Sequence, residues 1–176
     1  MAIDRQKTET VHWHAVFTAS RAEKKVSDRL EELGVECFLP VQTVLRQWTY
    51  RKSRVVVPVI AGLVFVRVSR QEQVKVLQTK GVVAFLRLKG EAGAAVIPDK
   101  QMEDFRFLLD FSEEAVEMTN ENIKAGDLVR VVKGSLRGME GELIRHKGVT
   151  KVLVRIDMLG CAMVNIPASF VEKLNK

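Results

Sequence analysis

The sequence predicts an α+β protein in which a mostly antiparallel sheet carries packed helices and a small barrel of short strands follows. Three observations lead there. Through residues 11–111, two-residue and 3.6-residue hydrophobic periods alternate across short connections, the pattern of strands and helices layered on one core. Residues 112–122, "SEEAVEMTNEN", hold four glutamates and no basic residue, a change of composition that reads as an acidic linker. From residue 123 to the end only short β runs and glycine turns occur, which indicates a small barrel.

Residues 1–10 are polar and read as a flexible N-terminus. "VHWHAVFT" (residues 11–18) is strand-like. In "RAEKKVSDRLEELG", Ala22, Val26, Leu30 and Leu33 fall on one helical face and Gly34 stands where a helix stops. "ECFLPVQTVLRQWTYRKSRVVVPV" gives two β-rich runs around a basic centre, a long hairpin with its tip near residues 51–53. "GLVFVRV" is β-branched, as central strands are. "SRQEQVKVLQTK" is a short helix with Ser69 placed to cap it, and "GVVAFLRL" is another strand. After a loop holding Gly90 and Gly93, "AAVIP" is a brief strand, and "DKQMEDFRFLLDF" is a helix with Met102, Phe105 and Leu109 on one face. The last part supplies "GDLVRVVKGSLRGMEGE", "KVLVRID", "AMVNIP" and "FVEKL". Glycines at 126, 134, 138 and 141 mark places where backbone turns tightly or passes close to backbone. The domains expected are residues 11–111 and 123–176, joined by the linker at 112–122.

Composition is globular, with 47% hydrophobic and 28% charged residues, and the net charge of +6 permits a polyanionic partner. The charge is uneven. Residues 41–70 contain six Lys or Arg and no acidic residue, so the hairpin is the densest positive site in the chain. Cys37 and Cys161 are far apart and lack CxxC spacing, which argues against a disulfide framework or a zinc site. No run of about 18 apolar residues occurs, nor a signal peptide's apolar stretch, and a soluble cytoplasmic protein without a membrane partner is expected.

The glycine-rich segment carries a recognisable pattern. Gly126, Asp127, Val129, Val131, Gly134, Gly138, Gly141 and Leu143 fit the KOW motif, while "AGLVFV" and "GVVAFLRL" with "AVIPDKQ" are similar to conserved stretches of an NGN domain. From residue 13 to residue 174 the chain thus resembles the NusG-type transcription elongation factors, an NGN α/β sandwich followed by a small SH3-like KOW β-barrel. Ala61 and Leu63 stand where that family usually has proline and an aromatic residue, and "GSL" (Gly134 to Leu136) replaces its GPF. The hairpin and "KGVVAFLRL" look closer to the operon-specific RfaH-like and capsule-locus (UpxY-like) antiterminators than to the general factor.

The resemblance implies a non-catalytic factor that docks an apolar patch on the clamp helices of RNA polymerase and suppresses pausing or termination, here at specific operons. By position in the motif, Leu63, Phe65, Phe85 and Ile97 are its polymerase-binding candidates. The plain alternative for Leu63 and Phe65 is core, because alternate residues of a strand face opposite ways. Arg21, Lys24, Lys25, Arg46, Trp48, Tyr50, Arg51, Lys52 and Arg54 are candidates for non-template or upstream DNA, since Lys and Arg grip phosphates and aromatic rings stack bases. The alternative there is an ordinary solvated charge run. Gly126, Asp127, Val129, Gly134, Leu136, Gly138 and Gly141 define the KOW motif, whose implied partners are a ribosomal protein or Rho. No cofactor is implied. His12 and His14 share a strand face without a third metal ligand, and no serine or carboxylate stands in a catalytic pattern, so an enzyme is not expected. A KOW-containing RNA- or ribosome-binding protein is the competing class.

Overall fold

The computed structural model describes residues 9–174, and expectations for residues 1–8 and 175–176 lie outside these. Its elements run β1 (His12–Thr18), α1 (Glu23–Glu32), β2 (Glu36–Phe38), β3 (Val41–Trp48), β4 (Arg51–Pro58), β5 (Leu63–Val68), α2 (Glu72–Leu77), β6 (Val82–Phe85), α3 (Asp99–Phe111), β7 (Glu117–Thr119), β8 (Asp127–Val131), β9 (Glu140–His146), β10 (Val149–Ile156), β11 (Gly160–Asn165), a 3-10 helix (Ala168–Phe170) and β12 (Val171–Lys173). Contacts divide the chain into two units. The first takes the chain through Leu39 and then Gly62–Val96; the second takes Pro40–Ala61 and everything from Ile97.

In the first unit an antiparallel four-stranded sheet has the order β2-β5-β1-β6. The β-branched run of β5 earns a central place because it is buried on both faces. Val64, Val66 and Val68 join Val16 and Phe85 on one face, where α1 adds Val26 and Leu30 and α2 adds Val76. Each such fully buried aliphatic side chain contributes about 1.5–3 kcal/mol. Helix α1 ends as its glycine dictates: Gly34 has φ +74°, and the N–H of Val35 reaches back to the Leu30 carbonyl at 2.9 Å. Leu33, expected on the apolar face, is 43% exposed in that last turn. Before α2, the Ser69 N–H donates to the Glu72 carboxylate at 2.8 Å and the Glu72 N–H donates to the Ser69 hydroxyl at 3.4 Å, a reciprocal cap.

The second unit contains the two-stranded β3–β4 ribbon, helix α3 and a six-stranded antiparallel sheet of order β12-β8-β9-β10-β11-β7. Helix α3 packs against β10 and buries Met102, Phe105 and Leu108. Leu108, not the expected Leu109, completes that face, because the covered arc is centred on Phe105 and takes in one residue a three-residue step to either side. The β8–β11 meander is extended at one edge by β12, which returns to pair with β8, and at the other by β7, which pairs with β11 from Cys161↔Thr119 to Met163↔Glu117.

Two expectations change. "AAVIP" forms no strand among the described elements: the Ala95 N–H bonds the Leu86 carbonyl, but the register does not extend into a ladder. The acidic stretch is not all connector, since residues 117–119 pair as β7. Its glutamates did not forbid pairing at a sheet edge, where Glu117 stays exposed and meets Lys151 at 2.7 Å. The part expected as a small barrel forms this six-stranded antiparallel sheet, with β12 and β7 at its two edges.

Candidate functional site

The basic hairpin is built by strict pairing from Val41↔Pro58 to Trp48↔Arg51. This register puts the turn at Thr49 and Tyr50, two residues before the expected tip, because Arg51, Lys52 and Ser53 are all used as strand partners of β3. Directly paired residues share a face of an antiparallel ribbon. Arg46, Trp48 and Arg51 therefore share one face, and Leu45, Lys52 and Arg54 the other. The Trp48 indole N–H donates to the Ser53 hydroxyl at 3.0 Å, which pins the ring along the strand. Even so, Trp48 is 54% exposed, and Tyr50 at the turn is 97% exposed. Among the described residues none of Arg46, Arg51, Lys52 and Arg54 has an ion-pair partner, so four positive charges stand un-neutralised on one narrow ribbon.

Helix α1 presents a weaker patch in the first unit. Lys24 is paired with Asp28 one turn on at 3.2 Å, whereas Lys25 and Arg21 are exposed; Arg21 has a left-handed φ of +58° in the loop leading to the helix.

The apolar candidates are not surface groups. Leu63, Phe65 and Phe85 are 2%, 0% and 4% exposed, and Ile97 of the second unit is 1% exposed. The alternation of β5 explains the first two. They lie on the sheet face opposite α1 and α2, beside Ala15 and Trp13, which are buried too, and Phe65 stacks on Phe38 with ring centroids 6.2 Å apart. Phe85 belongs to the helix-side core and meets the His14 ring edge-on at 5.8 Å. The exposed aromatic of that first face is Phe17, the strand partner of Leu63. Sequence reasoning passed over it because it lies outside the motifs.

A sequence profile described as "Transcription termination factor nusG" matches residues 11–106. The chain belongs to the NusG family. It is thus one of a family of transcription factors. Among solved structures it is similar to one described as "Domain interaction in Thermotoga maritima NusG", at 22% identity over 94% of this chain and 98% of that one, with a TM-score of 0.51. This likeness supports the shared fold. A structure of an MjSpt4:Spt5 complex, conformation B, aligns at 18% identity over 93% of this chain and 97% of that one, with a TM-score of 0.29, too low to speak for a shared architecture. No curated protein matches the sequence significantly.

Beyond the stretch that the NusG profile covers, the glycine motif resolves into two physical kinds. Gly138 has φ +94° in the loop between β8 and β9, where its N–H closes on the Val131 carbonyl at 2.8 Å. Gly126 has ordinary dihedrals but passes so close to β9 that a Cβ would stand 2.1 Å from the Leu143 carbonyl oxygen. Gly141 is similarly crowded by β10, and Gly134 borders Phe170. Val129 and Leu136 are buried, and exposed Asp127 pairs with Lys173 at 2.7 Å. The Gly126 N–H donates to Glu142, which also receives Arg155 at 2.6 and 2.9 Å. These Arg155 hydrogen bonds hold the Glu142 carboxyl below the usual carboxylate range. Leu136 is therefore core, with little surface for a partner of this unit.

Among the described residues no group of His, Cys, Asp and Glu is arranged to hold a metal ion, and no helix is long and apolar enough to cross a membrane. His14 is a core histidine: its Nδ1–H donates to the Ala95 carbonyl at 2.8 Å, Nε2 lies 3.4 Å from the Gln73 amide nitrogen, and burial lowers its pKa. Glu23 carries no motif that marks it in the sequence. Buried in α1, its carboxylate accepts the Gly62 N–H at 2.7 Å and fixes the entry to β5.

Proposed function

We propose that the chain is an elongation and antitermination factor that binds the clamp helices of RNA polymerase through the unit carrying β1 and β5, lays its basic hairpin on the non-template or upstream DNA, and suppresses pausing or termination. One observation carries the reading: in a NusG-family chain, a ribbon bearing two exposed aromatic rings holds four cations with no ion-pair partner among the described residues. Unpaired Arg and Lys on a protruding ribbon release counterions when they meet phosphates, and the rings supply sequence-tolerant stacking. The docking contact is the exposed Phe17 of β1, and Leu63 and Phe65, buried on the same sheet face, support it only through packing. Phe85 and Ile97 act only as packing. The hairpin and "KGVVAFLRL" favour an operon-specific role, and residues 123–176 act as a KOW barrel that meets a ribosomal protein or Rho.

The test is transcription on a template with a defined pause, together with capture of core RNA polymerase by the tagged chain. Pause lifetimes should shorten, and Phe17→Asp should abolish both capture and shortening while the chain stays folded. Capture of ribosomal RNA with no effect on pausing would instead establish the RNA- or ribosome-binding class.

A further inference from the structure

The first unit carries a recess of about 510 Å³ that opens at one end of the sheet and is lined in part by Phe85, Arg87 and Val96. Three neighbouring strands end there. His12 begins β1, Arg70 follows β5 and Arg87 follows β6, so their side chains line one recess although they are far apart in sequence. Its chemistry is one-sided. Both arginines are exposed and, among the described residues, neither has an ion-pair or hydrogen-bond partner. Among the described residues no carboxylate lines the recess. Glu72, next to the lining Gln73, is engaged by the Ser69 N–H, and Glu91 lies outside the lining. Gln73 is itself oriented by His14, whose Nδ1 is fixed on the Ala95 carbonyl.

The remaining wall is apolar. Leu77 and Val96 are 43% and 48% exposed and Phe85 forms the floor, while Gly93 leaves open space beside the loop. A recess of this size, with an apolar wall and a few convergent polar groups, has the make-up of a small-molecule site. Two arginines without a carboxylate select a dianion or a phosphate ester, which guanidinium groups match with paired hydrogen bonds.

We propose that this recess binds a nucleoside phosphate, with the phosphate on Arg70 and Arg87 and the nucleoside against Leu77 and Val96. Its lining includes no hairpin residue and not Phe17. The same chemistry is offered by a free nucleotide and by a nucleotide within a single strand.

The test is an NMR titration of the full chain with adenosine monophosphate, adenosine and a short 5′-phosphorylated oligonucleotide. Adenosine monophosphate should shift the Gly93 and Ala94 amides and the Arg70 and Arg87 Nε–H signals. Its affinity should fall at least tenfold in Arg70→Gln/Arg87→Gln, whose spectrum should otherwise stay native because both side chains are exposed and unpaired. Arg87→Lys, which keeps charge but not the planar fork, should fall between. Tighter binding of the oligonucleotide assigns the site to a strand, and weaker binding assigns it to a free nucleotide. The proposal is overturned if these signals do not move, if the double variant binds as tightly as the wild type, or if adenosine binds as well as its phosphate.

Discussion

Neutralising the hairpin one face at a time separates a nucleic-acid grip from a solvated charge run. The register places Arg46 and Arg51 beside Trp48, and Lys52 and Arg54 beside Leu45. A strand lying along the aromatic face meets the first pair and not the second. Each phosphate contact contributes about 0.7 to the slope of log K against log salt for single strands, so Arg46→Gln/Arg51→Gln should flatten that slope by about 1.4. Across the roughly fourfold change from about 50 to 200 mM salt, two lost contacts correspond to about sevenfold in affinity. Lys52→Gln/Arg54→Gln should flatten it by less than about half as much. Fluorescence anisotropy with a labelled single strand at several salt concentrations reads both slopes. Equal losses from the two pairs, or none from the first, would refute the argument from the ribbon's faces.

Other outcomes follow from the packing. Gly126→Ala pushes a methyl group against the Leu143 carbonyl and displaces the N–H held by Glu142, a clash that should cost about 3 kcal/mol and lower amide-exchange protection in β8 and β9 about a hundredfold; a change under about tenfold would count against it. Phe65→Ala removes a fully buried ring and should cost about 3–5 kcal/mol by thermal unfolding, whereas Phe17→Asp should leave the melting temperature nearly unchanged. For Glu142 the folded pKa is depressed, first by the Arg155 hydrogen bonds. Its stabilisation is therefore complete above the ordinary glutamate value of about 4.3 and vanishes as pH falls through the lower folded value. Acid titration of β9 and β10 protection should show that loss, and Glu142→Gln should remove the titrating step.

Much of the fold was written in local patterns. The Gly34 stop, the Ser69–Glu72 cap and the β-branched β5 each have short-range causes, and the structure realises all three. The site was less legible for a long-range reason. Strand alternation states that Leu63 and Val64 face opposite ways, but it cannot say that both faces are covered, so motif position alone nominated buried side chains as contacts. The hairpin tip slipped by two residues because the basic cluster drew attention to composition, whereas the Trp48↔Arg51 pairing sets the turn. Strand β7 hid in an acidic run because edge pairing needs only backbone and a partner with room for it. Gly160 supplies that room: a Cβ there would stand 2.1 Å from the Thr119 carbonyl oxygen.

Placing a photo-crosslinking amino acid at position 50, the exposed end of the ribbon, in a reconstituted transcription elongation complex tests the central claim most directly. The account predicts crosslinks to the non-template or upstream DNA strand that disappear with Phe17→Asp, which releases the polymerase. Crosslinks that form on free DNA alone, or only to ribosomal RNA or protein, would contradict it.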